Sequence, residues 1–313
     1  LDLDTIIEVT ALPEEAVLKA VDELLEERLI RERRVRGLER FELAHNRLRD
    51  VALEETPEEM RKACHRRLGS CLERRHSRAA DAVVEALAYH FVEGDLPAKA
   101  YPYLVRAAAK LRRRTFVAEA LSCLDRALVI EPAAREYMTI DDADRRLVEA
   151  RLARASALLH LGRWEEGDAE ARAADALAVD LGDSRLQAMT AIELAVQNRR
   201  VRQLDNAEAQ LRRALQLAEG LGDKRLQILP LYEFGAVQWS RGDLEAARDY
   251  FVQALAGSEA YDDEGSLALG YNGLGLIALC RGQSAEARRY FEQSIAVCEQ
   301  YGLMDRLSIS RTN

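Results

Sequence analysis

The sequence predicts an all-α protein, a solenoid of helical hairpins preceded by a small segment that holds the chain's strands. A turn recurs every 40 residues, at Leu181-Gly182-Asp183, Leu221-Gly222-Asp223, Tyr261-Asp262-Asp263 and Tyr301-Gly302-Leu303. Gly162, Arg202, Gly242 and Gly282 fall midway between these turns, so each unit holds two helices. The composition agrees: 48% hydrophobic and 32% charged residues with six prolines in 313 suit a soluble chain with an extended helical core.

Small residues recur where two helices approach closely. They are Ala155, Ala195, Gly235 and Gly275 on the first helix of each unit, and Gly167, Ala207, Ala247 and Ala287 on the second. Ala171, Leu211, Phe251 and Phe291 follow four residues later, and Ala174, Ala214, Ala254 and Ser294 three after that. A stripe that narrow must be covered by neighbouring hairpins, which makes the array a solenoid.

These positions resemble the tetratricopeptide repeat. The match is strongest at 101–134, where Leu104, Ala107, Ala108, Leu111, Ala120, Leu124, Ala127 and Pro132 fit the family's pattern. The resemblance implies a right-handed superhelix over 101–313, with a 34-residue unit at 101–134 and 40-residue units at 148–187, 188–227, 228–267 and 268–307. Arg154 and Arg202 stand where that pattern expects an apolar residue and a turn glycine.

The elements before the repeats are read in order. A short helix to about Thr10 is followed by Leu12-Pro13-Glu14-Glu15, whose proline and acids suit the first turn of a helix running to about Arg28. Leu29 to Val35 and Arg40 to Leu43 read as short strands around a turn at Gly37, and helix, helix, strand, wing, strand is the order of a winged helix. Residues 1–56 form this segment and its junction, and 57–100 linking helices. Ala133 to Asp144 reads as a longer connection and the one hinge of the arm.

A winged helix raises DNA binding. Leu29 to Arg49 holds seven arginines against three glutamates, but Pro13 to Arg28 carries five glutamates and an aspartate against one lysine and one arginine. A helix so acidic is repelled by phosphate, and the formal net charge of −9 disfavours a general nucleic-acid coat, so DNA is ranked below a protein partner.

Phe41, His45, Leu48, Arg49, His65, Arg67 and Leu68 resemble the junction of STAND-type bacterial signalling ATPases, where a winged-helix module meets a repeat arm; Ala44 replaces an arginine of many relatives. The resemblance implies an ATPase module upstream of Leu1. The chain opens without a methionine and stops just after a repeat, as expected of a piece of a longer protein. Within it there is no G-x-x-x-x-G-K-[ST] motif to cradle a nucleotide's phosphates. Phe41, His45, Arg49, His65 and Arg67 are the candidate junction residues; for the two histidines, hydrogen bonding inside the junction ranks ahead of contact with the nucleotide-bound module. His76, His90 and His160 read as isolated, and no H-E-x-x-H spacing occurs.

No nucleophile with a base and no glycine-rich phosphate loop is found, so a non-enzymatic chain without cofactor is expected. Cys64, Cys71, Cys123, Cys280 and Cys298 lack C-x-x-C spacing and read as thiols of a reducing compartment. No run of 18 apolar residues and no signal peptide is present, which points to the cytoplasm.

Function is then expected on a surface. The first helix of each hairpin has a second face, holding Glu149, Leu152, Ser156 and Leu159, then Met189, Ile192, Val196 and Arg199, then Leu229, Tyr232, Ala236 and Trp239, then Leu269, Asn272, Leu276 and Leu279. Leu152, Leu159 and Leu279 are read as packing against neighbours. Met189, Ile192, Val196, Arg199, Arg200, Tyr232, Trp239, Asn272 and Leu276 are the candidate groove for a protein, a peptide or a small effector, because aromatic anchors beside cations and amides are what such partners require.

Overall fold

The computed structural model describes every residue except 36 and 37, so the predicted turn at Gly37 lies outside the described residues. Among the described residues there are sixteen α-helices and one two-stranded sheet, and no strand follows Leu43. Two compact units divide the chain: Leu1–Ala107 with Ile130–Tyr137, and Ala108–Val129 with Met138–Asn313.

In the first unit, α1 (Leu3–Thr10) is capped by the Asp2 carboxylate, which accepts from the Thr5 amide at 2.8 Å. Helix α2 (Glu14–Glu26) starts on Pro13 with Glu14 and Glu15 in its first turn, where the helix dipole favours anions. It ends two residues earlier than predicted, as Arg28 takes a left-handed φ of 56°. Strands β1 (Ile30–Val35) and β2 (Leu38–Leu43) pair antiparallel, with Ile30 opposite Leu43 and Glu32 opposite Phe41. Leu1 lies along β2: the Phe41 amide donates to its carbonyl at 2.7 Å, and its backbone nitrogen donates to the Phe41 carbonyl at 2.8 Å.

Helices α3 (Asn46–Glu55), α4 (Glu58–Arg75) and α5 (Val84–Glu93) follow. Helix α4 is tied to α1 by side chains: Arg67 donates to the Val9 and Thr10 carbonyls at the end of α1, and Arg75 donates to Asp2 and Thr5 at its start. Leu87, Phe91 and Ala100 form the core of this unit, with Tyr103 stacked on Phe91 at 5.5 Å between ring centroids.

Helices α6 (Pro97–Arg113) and α7 (Val117–Arg135) contribute residues to both units. The predicted hinge over Ala133–Asp144 is corrected: α7 runs through Pro132 to Arg135, and only residues 136–139 separate it from α8 (Ile140–His160). Pro132 has no N–H to donate to the Leu128 carbonyl four residues back, and the helix ends within a turn of it. Thr139 caps α8 by accepting from the Asp142 amide, and Asp141 and Asp142 occupy its first turn.

The second unit is a tetratricopeptide-like solenoid. Hairpins α8–α9 (Trp164–Asp180), α10 (Ser184–Arg200)–α11 (Leu204–Gly220), α12 (Ile228–Arg241)–α13 (Leu244–Ala260) and α14 (Glu264–Cys280)–α15 (Ser284–Tyr301) are followed by α16 (Met304–Thr312). Left-handed residues punctuate it every 20 positions, at Gly162, Gly182, Arg202, Gly222, Gly242, Asp262, Gly282 and Gly302. Arg202 therefore adopts at φ 64° the conformation that glycine takes at the equivalent turns. Asp183, Asp243 and Asp263 then cap the next helix through their carboxylates.

The core is a chain of local clusters, one per junction of neighbouring helices. Val148, Ala174, Ala178 and Leu186 form one, Ala195, Ala207, Leu211, Phe234 and Val237 another, and Ala247, Phe251, Leu274 and Ile277 a third. Arg154, unexpected at an apolar position, bridges Asp125 at 2.7 Å and Glu170 at 2.8 Å, so its charge is matched where it is half-buried.

Candidate groove on the first helices of the hairpins

The phase of each first helix is set by its closest contact. A Cβ on Gly235 would stand 2.6 Å from the Phe251 ring, and one on Gly275 2.5 Å from the Phe291 ring. Both aromatic rings fill the space that the missing side chains leave, as the repeat pattern predicts.

The residues on the other face differ in availability. Met189, at 36% exposure, and Trp239, at 39%, are open to solvent, and Arg200 is exposed. Ile192 is buried with Ala191 and Ala214, and Val196 and Leu276 are half-buried. Arg199 is tied down, its Nε donating to Glu233 Oε2 at 3.0 Å. Tyr232 rests on Phe251 with ring centroids 5.3 Å apart, and burial pushes its phenol up to about 12. Asn272 is 4% exposed and its Oδ1 accepts from Asn313 Nδ2 at 2.9 Å, so the last residue of the chain occupies this amide. Leu152 packs on the Val148 cluster as predicted, whereas Leu279 is exposed rather than packed.

A cavity of about 450 Å³ opens along α8, α10 and the start of α12. Leu152, Met189, Ile192 and Leu229 line it with Glu149, Ser156, Glu193 and Arg112. Of the nine candidate groove residues it brings together only Met189 and Ile192; the aromatic pair lies farther along the array.

Its polar groups are hydrogen-bonded in two separate places. Arg112 Nη1 donates to Ser156 Oγ at 3.0 Å, while Gln197 Nε2 donates to Glu193 Oε1 at 2.8 Å and to the Ala155 carbonyl at 3.2 Å. Burial pushes the Glu193 carboxyl up to about 7, with Glu233 adding to the rise and the Gln197 hydrogen bond and Arg112 opposing it. Arg112 and Glu193 were absent from the predicted groove. Arg112 lies in α6, ahead of the hairpins whose first helices define the predicted groove, and Glu193 falls between the two helical stripes.

The junction residues do not converge. Phe41 lies in β2 beside Leu1, His45 is exposed ahead of α3, and Arg49 pairs with its neighbour Asp50 at 3.2 Å. Arg67 caps α1. His65 Nδ1 meets His90 Nδ1 at 2.9 Å, so His90 is not isolated, a correction that follows from the packing of α4 on α5 across 25 residues of sequence. Burial lowers the pKa of both, that of His90 to about 4.

Among the described residues no group of three or more histidine, cysteine or acidic side chains is arranged to hold a metal, and no helix is long and apolar enough to cross a membrane. The five cysteines are free thiols.

The profile of the tetratricopeptide repeat matches residues 186–260 and 231–300, within the array that the geometry defines. Comparison with curated proteins finds no significant match. Among solved structures, the chain is similar to the Rap conjugation gene regulator of the plasmid pLS20 in complex with a Phr peptide, at 14% identity over 96% of this chain and 76% of that one, with a TM-score of 0.60. A Rap protein complexed with competence and sporulation factor gives 16% identity over 98% and 77%, with a TM-score of 0.58. Aspartyl phosphate phosphatase F from Bacillus subtilis gives 11% over 96% and 79%, with a TM-score of 0.57. At these identities the likeness is one of fold.

Proposed function

We propose that this chain is the non-catalytic interaction arm of a larger cytoplasmic signalling ATPase or regulator, binding a protein or peptide in the groove of its hairpins' first helices. The observation that carries the reading is the cavity of about 450 Å³, a size suited to ligands, with apolar walls and a few polar groups at its base. Two structures of similar fold were solved with a bound peptide or factor, which supports a peptide over a small effector.

The groove is assigned to Met189, Ile192, Val196, Arg199, Arg200, Tyr232, Trp239, Asn272 and Leu276, extended at its start by Arg112 and Glu193. Residues 1–56 are assigned to the end of a winged-helix module, 57–100 to linking helices and 101–313 to the repeat arm. The helix, helix, strand, strand order of the first unit supports that module, and the junction resemblance supports an ATPase parent. Direct DNA reading by this segment ranks below it, since α2 presents Glu14, Glu15, Glu23 and Glu26 where phosphate would approach.

Selection of a displayed random-peptide library on the chain tests the groove. Peptides that bind the wild type and lose binding to Met189→Asp are expected; peptides indifferent to Met189→Asp and Trp239→Ala would place the binding surface elsewhere.

A further inference from the structure

We infer that this groove, if the reading above holds, selects an acidic peptide: Arg112 holds a carboxylate of the ligand at the base of the cavity, and an adjacent apolar side chain packs against Leu152, Met189 and Leu229. The neighbouring arginines are matched: Arg185 with Asp223 at 2.5 Å, Arg145 with Asp183 at 3.2 Å, Arg199 with Glu233 at 3.0 Å. Arg112 makes one hydrogen bond, to the neutral Ser156 hydroxyl, and forms no ion pair among the described residues. A guanidinium has five N–H donors in a planar fork that fits a carboxylate, so Arg112 retains the donors that such a ligand needs.

Glu193 feels the charge of Arg112, but burial opposes its ionisation more strongly. Glu193 carries its proton up to about pH 7 because burial penalises the carboxylate. Protonated, it leaves Arg112 unmatched and has an O–H to donate to an incoming carboxylate. The groups that face it are Gln197 on its own helix, Arg112 of α6 and Glu233 of α12, with Glu149, Arg225 and the Asp223-paired Arg185 completing the charged lining. Arg225 is exposed and forms no ion pair among the described residues, so it adds a second unmatched cation at the rim. Glu149, exposed and without an ion pair among the described residues, offsets Arg225, so the cation left for a ligand among the apolar walls is Arg112.

A ligand carboxylate beside Glu193 also disfavours its ionisation, so binding takes up a proton and tightens as pH falls from 8 toward about 7, levelling off below.

The test uses the full chain and a displayed random heptapeptide library selected at pH 6.5. The two most enriched sequences are then synthesised, with acidic residues replaced one at a time by their amides, and titrated against wild type, Arg112→Gln, Arg112→Lys, Glu193→Gln and Arg248→Gln on helix α13. Enriched peptides are expected to place Asp or Glu beside a Leu, Ile, Met or Phe. Arg112→Gln should weaken them about tenfold or more, as expected for loss of a charged hydrogen bond, but should not weaken the amide analogue further. Arg112→Lys should fall between, Arg248→Gln should change nothing, and Glu193→Gln should abolish the pH dependence between 6 and 8. Circular dichroism melts of each variant establish that it is folded.

Neutral or basic peptides that depend on Met189 but are indifferent to Arg112 would overturn this inference and leave the groove reading standing. Failure to enrich any peptide dependent on the groove would overturn both. Free succinate competing as well as the peptides would overturn the peptide as ligand.

Discussion

His65 and His90 face each other through their Nδ1 atoms at 2.9 Å, one on α4 and the other on α5. At that distance one ring donates and the other accepts, so the pair holds only while at least one ring is neutral. Tyr89 stands edge-on to both rings, and burial is the main cause that lowers both pKa values. The pair therefore ties α4 to α5 with a contact that acid opposes.

The sign of the resulting pH effect follows from those shifts. A histidine whose folded pKa is lowered contributes stability that is present above its ordinary value of 6.5 and is lost as pH falls, for His90 toward about 4. Thermal melts of the wild type should fall between pH 6.5 and 4, and those of His90→Gln should fall less steeply. Parallel curves for the two proteins would contradict the assignment.

Glu193 gives the opposite sign. Its folded pKa is raised from 4.5 to about 7, so its contribution is fully present below pH 4.5 and is lost as pH rises to about 7. Glu193→Gln should thus melt close to the wild type near pH 4.5 and gain on it by pH 8. A difference that does not change over this range would mean that the carboxyl is solvated in the folded protein.

Gly235→Leu and Gly275→Leu should each destabilise the array by about 1 to 3 kcal/mol or more, the usual range for overpacking a filled site. The obstacle is specific: an added Cβ meets Phe251 or Phe291 at 2.6 or 2.5 Å. The pair Gly235→Ala with Phe251→Leu should recover part of the loss seen for Gly235→Ala alone in denaturant melts. No recovery would show that backbone, such as the Ala247 carbonyl at 3.2 Å, sets the limit.

Trp239→Ala should weaken peptide binding by about 2 kcal/mol or more where the ring is an anchor, with helicity unchanged. Its 39% exposure makes it the clean probe of the groove's far end. Tyr232→Ala should weaken binding and also lower the melting temperature, since the ring packs on Phe251. Isothermal titration with selected peptides and melts of both variants separate the two effects.

Much of this protein was legible in the sequence because its determinants are local and repeat. The 20-residue spacing of left-handed turns follows from glycine and aspartate at helix ends, and the phase of each hairpin follows from Gly235 and Gly275 beneath Phe251 and Phe291. A residue's conformational freedom and size act where it stands, so periodicity alone determined the all-α solenoid and which face of α10, α12 and α14 meets its partner helix. The position of the cavity needed the tertiary structure. Arg112 of α6 reaches Ser156 of α8 across 44 residues, off the 40-residue period. Asn272, an open amide by its place on the helix, is occupied by Asn313, and His65 finds His90 through the packing of two helices that share no repeat. Those contacts depend on distances between elements, and only the folded chain sets them.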